Sequence, residues 1–167
     1  MKLHVLFTGR TRSLGGKAEG RLTTLCADAI ADYAARIGHY VPFAIEELPD
    51  LRGTKALTEE QQREREADQV MAALQPGDVL VLLDERGREL TSRELAAWLE
   101  RKMQTVARRL VLLVGGPYGF APRIYEAAQG SLSLSRLTFS HQMVRLFLVE
   151  QLYRACTIIR GEPYHHD

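Results

Sequence analysis

A chain of 167 residues is long enough for one domain with a self-sufficient core, and 46% hydrophobic against 26% charged residues excludes a disordered or fibrous class. A net charge of +1 does not mark the chain as a general nucleic-acid binder. The two cysteines, Cys26 and Cys156, form no CxxC pair and fall in apolar helical stretches. They read as buried thiols, with a single disulfide as the open alternative. One local departure is the basic start, where Lys2, Arg10, Arg12, Lys17 and Arg21 face only Glu19. That patch hints at a phosphate partner, although surface basic residues usually serve solubility. No signal-peptide pattern and no apolar run of membrane-spanning length occurs, so a cytoplasmic protein without a membrane partner is expected.

Apolar runs alternate with helical patterns along the whole chain, which predicts one α/β domain over residues 1–167. Lys2 to Phe7 reads as a strand. Leu22, Leu25, Cys26, Ala29, Ile30, Tyr33 and Ile37 then recur at helical spacing, and Gly38 is a plausible stop. Phe43 to Leu48 is a second strand, weakened by its glutamates. Thr58 opens a charged helix whose buried stripe is Ala67, Val70, Met71 and Leu74; its charges form a solvated face. A turn at Pro76-Gly77-Asp78 leads to Val79–Leu83. That run and Leu110–Val114 are continuously apolar, as strands covered on both faces of a parallel sheet are. Between them Thr91 and Glu94 make a capping box, and Leu95, Trp98, Leu99 and Val106 give the helix its stripe. A right-handed crossover follows from that order.

After Gly115-Gly116-Pro117 come a short helix near Pro122–Ala128, a serine-rich strand Leu132–Leu134, and a last helix from about His141 to Ile159. Val144, Phe147, Leu148, Leu152 and Ala155 form one apolar face of that helix; Leu146, Val149 and Tyr153 form another. A helix apolar on two sides needs cover on two sides. The sheet supplies one. A second copy of the chain is expected on the other, or else the short preceding helix.

Ligands of open parallel sheets sit beyond the carboxyl ends of the strands, which selects the loops near Gly9, Asp84, Gly115 and Ser135. The Gly9–Lys17 loop is not a phosphate loop of the GxxxxGK[ST] type, because Thr11 and Ala18 stand where Gly and a hydroxyl are required. Nor does any GxGxxG follow a strand. Gly115 and Gly116 let a ligand approach the backbone, or merely make a tight turn. In Ser131–His141, small hydroxyls and free amides suit the polar edge of an adenine, with Leu137 and Phe139 as apolar walls. The competing reading is an alternating strand followed by a Ser140 or Thr138 helix cap.

Four segments then occur in a characteristic order: Leu83-Asp84-Glu85-Arg86-Gly87, Leu113-Val114-Gly115-Gly116-Pro117-Tyr118-Gly119, SLSLSRLTFSHQMVRLFLVEQLYRA, and Pro163-Tyr164-His165-His166. Together they resemble the H-type 23S ribosomal RNA large-subunit methyltransferases of the SPOUT superfamily. The resemblance runs the length of the chain, is strongest from Gly115 to His166, and is weak between Gly38 and Leu74. Ser140 stands where many members have proline.

The resemblance implies a SPOUT fold whose C-terminal part threads a trefoil knot. It also implies a homodimer and S-adenosylmethionine held by Leu83, Gly116, Ser135, Arg136, Leu137, Thr138, Phe139 and Ser140. The implied reaction is methylation of N3 of a pseudouridine in 23S rRNA, with no metal. Arg145 and His141, one turn apart on the last helix, would face the substrate, Arg145 holding a phosphate or the uracil anion. Tyr164 and His165 would reach the partner subunit's site, with His165 as a general base. Two other classes remain at this stage: a flavodoxin-type nucleotide-binding enzyme, whose first loop should be rich in Ser and Thr, and a catalytically silent ribosome-binding module.

Overall fold

Runs of valine and leucine covered on both faces build the centre of the protein. The computed structural model describes residues 1–11 and 17–166, with residues 17–20 as helix backbone alone. Its elements are β1 (Lys2–Phe7), α1 (Lys17–Ile37), β2 (Phe43–Glu47), α2 (Glu59–Ala73), β3 (Val79–Glu89), α3 (Ser92–Thr105), β4 (Arg109–Val114), α4 (Pro122–Ala127), β5 (Ser131–Ser133) and α5 (His141–Arg160). The strands form one sheet in the order β2-β1-β4-β3-β5, parallel at every pairing. Helices flank it on both sides, giving three layers. β1 and β4 occupy the middle, and Leu3, Leu6, Phe7, Leu110 and Leu113 are essentially inaccessible to solvent.

The two faces of the sheet are covered unequally. On one, Leu3, Val5, Val81, Leu110 and Leu112 pack against Ile30 and Ile37 of α1, Leu95 and Leu99 of α3, and Leu148, Val149 and Leu152 of α5. On the other, Leu6, Leu80, Leu82, Val111 and Leu113 meet a smaller cover centred on Ala67 and Val70 of α2 and Ile124 of α4. Capping boxes start α2 (Thr58 with Gln61) and α3 (Thr91 with Glu94). Each satisfies amide donors that the first helical turn leaves open.

Several expectations are corrected. β3 runs six residues past Leu83, because after a register shift Arg88 and Glu89 pair with Leu132 and Ser133. Leu22, Leu25 and Met71, placed on buried stripes by their spacing, are exposed. The second face of α5 is covered inside the chain by α1 and α3, not by α4, which lies across the sheet. Val149 is therefore core, and the two-sided pattern of α5 does not by itself require a second copy. Both cysteines are free and buried, and burial raises the Cys156 thiol to about 11. The basic residues Arg12 and Lys17 of the first loop lie outside the described side chains. Among the described residues no helix is long and apolar enough to cross a membrane.

Candidate active site

The irregular stretch of β3 from Leu83 to Arg86 and the loops that leave β4 and β5 at their carboxyl ends converge on one cavity of about 650 Å³. That volume falls in the range of small-molecule sites. Leu83, Gly116, Ser135, Leu137, Thr138 and Phe139 all line it, and so does His141 at the start of α5. Three of the four loops chosen by the strand-end rule thus meet in space.

Local chemistry shapes the third loop. The Ser133 hydroxyl donates to the Ser135 carbonyl at 3.1 Å, and the Ser135 hydroxyl accepts from the Leu137 amide at 3.0 Å. Ser140 caps α5 by accepting from the Met143 amide. Leu137 is 73% exposed and Phe139 packs on Phe147 with ring centroids 5.2 Å apart, so the apolar wall is half open. Arg136 and Ser140 belong to the loop without lining the cavity; the Arg136 guanidinium turns outward to Glu89, 3.0 Å away. A second, largely apolar cavity of about 340 Å³ adjoins the first and shares Leu83, Ser133, Leu134 and Phe139 with it.

The glycines have a different reason from the one their position suggests. A Cβ on Gly115 would lie 2.7 Å from the Phe120 ring, and a Cβ on Gly116 would lie 2.6 Å from a Glu66 carboxylate oxygen. Both positions exclude a side chain because the protein itself fills the space, while the backbone still lines the cavity. Sequence reasoning also missed the acidic and aromatic rim. Glu59, Asp84 and Glu85 line the cavity beside Arg63, Arg86 and Tyr125. The Tyr125 hydroxyl donates to Asp84 at 2.5 Å; burial first, and then that carboxylate, push the phenol up to about 12. The acidic LDE segment after a buried strand was the available signal.

Arg145 does not line this cavity. It is 2% exposed and donates to the Thr8 carbonyl at 2.9 Å, the Gly9 carbonyl at 3.0 Å and the Thr11 hydroxyl at 2.8 Å. Its guanidinium lies 4.6 Å from the Phe7 ring centroid and 3.8 Å from Glu47. It thus ties α5 to the loop after β1. Burial, and then the Arg145 charge, hold His141 below the ordinary imidazole range, so the ring is uncharged at neutral pH.

The tail lies elsewhere. The Tyr164 hydroxyl donates to Glu150 at 3.1 Å and lies 3.3 Å from the Tyr33 hydroxyl, and its ring meets Tyr153 edge-on at 4.8 Å. His165 Nδ1 sits 3.4 Å from Arg154. Neither residue lines the cavity of its own chain.

Three comparisons bear on this arrangement. The model of the predicted SPOUT methyltransferase family matches residues 1–165. The ribosomal RNA large subunit methyltransferase H of Phocaeicola vulgatus is 53% identical over 167 residues, 100% of both chains. The protein of the same name from Parabacteroides distasonis is 54% identical over 140 residues, covering 84% of this chain and 89% of its own. A solved structure of a probable methylase family protein from Haemophilus influenzae Rd KW20 aligns over 95% of this chain and 66% of that one, with 11% identity and a TM-score of 0.49. With a full-length match on a sheet whose strand-end loops enclose one cavity, the chain belongs to the SPOUT methyltransferases, in the ribosomal RNA large subunit methyltransferase H family.

Proposed function

We propose that the protein methylates N3 of a pseudouridine in the 23S RNA of the large ribosomal subunit, with S-adenosylmethionine as donor. The observation that carries this reading is the convergence of Leu83, Gly116 and the Ser135–Phe139 loop on one cavity in a chain of that family. The cavity suits the donor: it has room, loop hydroxyls and amides, apolar surface at Leu83 and Phe139, and carboxylates at its rim that complement a cation. The bound donor supplies an activated methyl group with a neutral thioether as leaving group. Ser135, Leu137, Thr138 and Phe139 hold it, together with Leu83 and Gly116, while Arg136 and Ser140 shape the loop from outside the cavity. Their work is alignment, which alone accounts for much of the rate of a group transfer.

The acceptor nitrogen must lose its proton as the new bond forms. Uncharged His141 at the cavity edge is available to accept a hydrogen bond from the uracil ring. Arg145 acts through the loop after β1, whose Thr8 and Gly9 carbonyls it holds against α5. Tyr164 and His165 complete the site of the partner subunit, with His165 as the base. The active form is a cytoplasmic homodimer of one-domain subunits, each with a trefoil knot in its C-terminal part. Exposed Leu22, Leu25 and Phe147 supply apolar surface for the dimer contact.

The test is methyl transfer from labelled donor to large ribosomal subunits that lack the modification, followed by mapping of the labelled base. Label on a pseudouridine at N3 is expected. Label elsewhere, or none with intact donor binding, would overturn the substrate assignment. The flavodoxin-type alternative ends with the family match.

A further inference from the structure

Most charges of α2 point to solvent, as its sequence predicts, but Glu66 does not. It is 8% exposed and lies on the buried side of the helix with Ala67 and Val70. A carboxylate in that position needs a reason, because an apolar residue or an amide of the same shape would be cheaper to bury.

Its surroundings supply one. Both carboxylate oxygens face the Cα of Gly116, at 2.6 and 2.8 Å from where a Cβ would stand, with the carboxyl carbon at 3.0 Å. Gly116 lines the cavity and Glu66 does not. The carboxylate therefore stands directly behind the wall of the cavity, separated from it by one residue's backbone. Nothing else explains a charge there. The Gln62 amide donates to Glu66 at 3.2 Å, and no cation balances it among the described residues. Arg63, next on the helix, points its guanidinium toward the Tyr118 carbonyl, and Arg123 of α4 is engaged by Glu64 and Asp68. The turn from Gly115 to Phe120 carries no charged side chain. Burial accordingly raises the carboxyl above its ordinary range.

We infer that Glu66 is a specificity-determining charge behind the glycine turn, which favours a cationic sulfonium donor over the uncharged thioether product. The inference rests on the donor reading above. A positive ligand in the cavity faces a buried carboxylate across a thin, water-poor wall, where charge interactions are stronger than in water. The product has the same shape without that charge, so it gains nothing and leaves more readily. Glu59, Asp84 and Glu85 at the open rim share the sign but are screened by solvent. Glu66 is the carboxylate that solvent does not screen.

The experiment is titration calorimetry of the full chain with S-adenosylmethionine and with S-adenosylhomocysteine, for wild type, Glu66→Gln and Glu66→Asp. Melting curves check that each variant is folded. Glu66→Gln keeps shape and the Gln62 contact but removes the charge. It should weaken donor binding on the order of tenfold, the size expected for one partly screened charge pair, and change product binding less than about twofold. Glu66→Asp keeps the charge but withdraws it by one methylene, so donor binding should weaken less than in Glu66→Gln, product binding should change less than about twofold, and part of the preference for the donor should survive. Equal losses for donor and product in Glu66→Gln, or no loss in either, would overturn the inference while leaving the donor reading intact. If Glu66→Gln does not fold, equal losses for donor and product in Glu66→Asp, or no loss in either, overturn it alone. A wild type that binds neither ligand removes the donor reading and this inference with it.

Discussion

The two ends of α5 are built for different work. At its start, Ser140 caps the helix, His141 lines the cavity, and Arg145 one turn later grips the loop after β1. At its end, Gly161 closes the helix in a left-handed conformation and the chain turns back as the Pro163–His166 tail. The caps are about 30 Å apart at 1.5 Å per residue. The tail recovers part of that distance, but its Tyr164 hydroxyl stops at Glu150, about 14 Å along the axis from His141. A tail that contributes to methyl transfer in this arrangement would serve a second copy more readily than its own chain. One helix thus joins an end that lines the cavity to a tail end that does not reach it.

The comparison breaks first in the middle of the helix. Val149 is wholly buried against the sheet, so Val149→Glu places an unpaired charge in the core and should cost several kcal/mol. Loss of the cooperative unfolding transition is the expected result. Leu25→Glu, at a position 57% exposed on α1, should leave folding nearly unchanged and convert a dimer to monomer in sedimentation. A folded Val149→Glu monomer would mean that this face of α5 belongs to the dimer contact after all.

Arg145→Ala comes next. It strands two carbonyls and a hydroxyl that the guanidinium now satisfies, at a cost of about 3–5 kcal/mol for a broken buried charge network. Urea unfolding measures that directly. An arginine whose main task is to hold RNA would instead lower kcat with little change in the denaturation midpoint.

Deletion of Pro163–Asp167 should act on the reaction rather than on the fold. The Tyr164 hydrogen bonds lost are worth about 1 kcal/mol of stability, and donor binding should persist, because no tail residue lines the cavity. Methyl transfer should fall on the order of 10²-fold, as for removal of one well-placed transition-state contact. Mixed dimers separate the geometries. One chain lacks the tail; the other keeps it but has its cavity filled by Thr138→Trp. If the tail crosses to the partner, such dimers regain activity that neither parent shows. No rescue in dimers shown to form means that the tail acts within its own chain or not at all.

Much of this was legible in the residues. Buried parallel strands announce themselves as unbroken apolar runs, and both β3 and β4 were found that way. The capping boxes at Thr91 and the opening at Thr58 came from local hydrogen-bond chemistry, which needs no tertiary context. The strand-end rule chose the segments near Asp84, Gly115 and Ser135, and the family resemblance added Leu83 and Gly116 to them. What escaped depends on which face a neighbour covers. Spacing put Leu25 on a stripe but did not reveal that it stays more than half exposed. Glu66 looked like one more solvated charge in a charged helix, because helical periodicity carries no sign of a glycine turn pressed against it from β4. The grip of Arg145 on the loop after β1 was also hidden, because its acceptors are backbone carbonyls, which no side-chain pattern displays. The sequence also left open whether α4 or a second chain covers the far side of α5; α1 and α3, which do cover it, were not among the candidates.

The smallest effects sharpen the comparison best, because they touch each end of α5 with one atom. Ser140→Ala removes the cap oxygen that accepts from the Met143 amide, at a cost of about 1 kcal/mol. Gly161→Ala adds a methyl group that meets nothing within 4 Å, so its cost is the left-handed backbone at φ 70° and again comes to about 1 kcal/mol. Thermal melting should therefore rank the two variants together, roughly 2–4 °C below wild type for a domain of this size. Their functions should part. Ser140 ends the loop that forms one wall of the cavity, so Ser140→Ala should weaken donor binding severalfold in calorimetry. Gly161 aims the tail, so Gly161→Ala should leave donor affinity unchanged and lower methyl transfer to ribosomal subunits. Equal donor affinities in the two variants would show that the loop holds its shape without the cap. Equal methyl-transfer rates at saturating donor would show that the direction in which Gly161 sends the chain does not matter to the reaction, and the division of labour between the two ends of α5 would then have no basis.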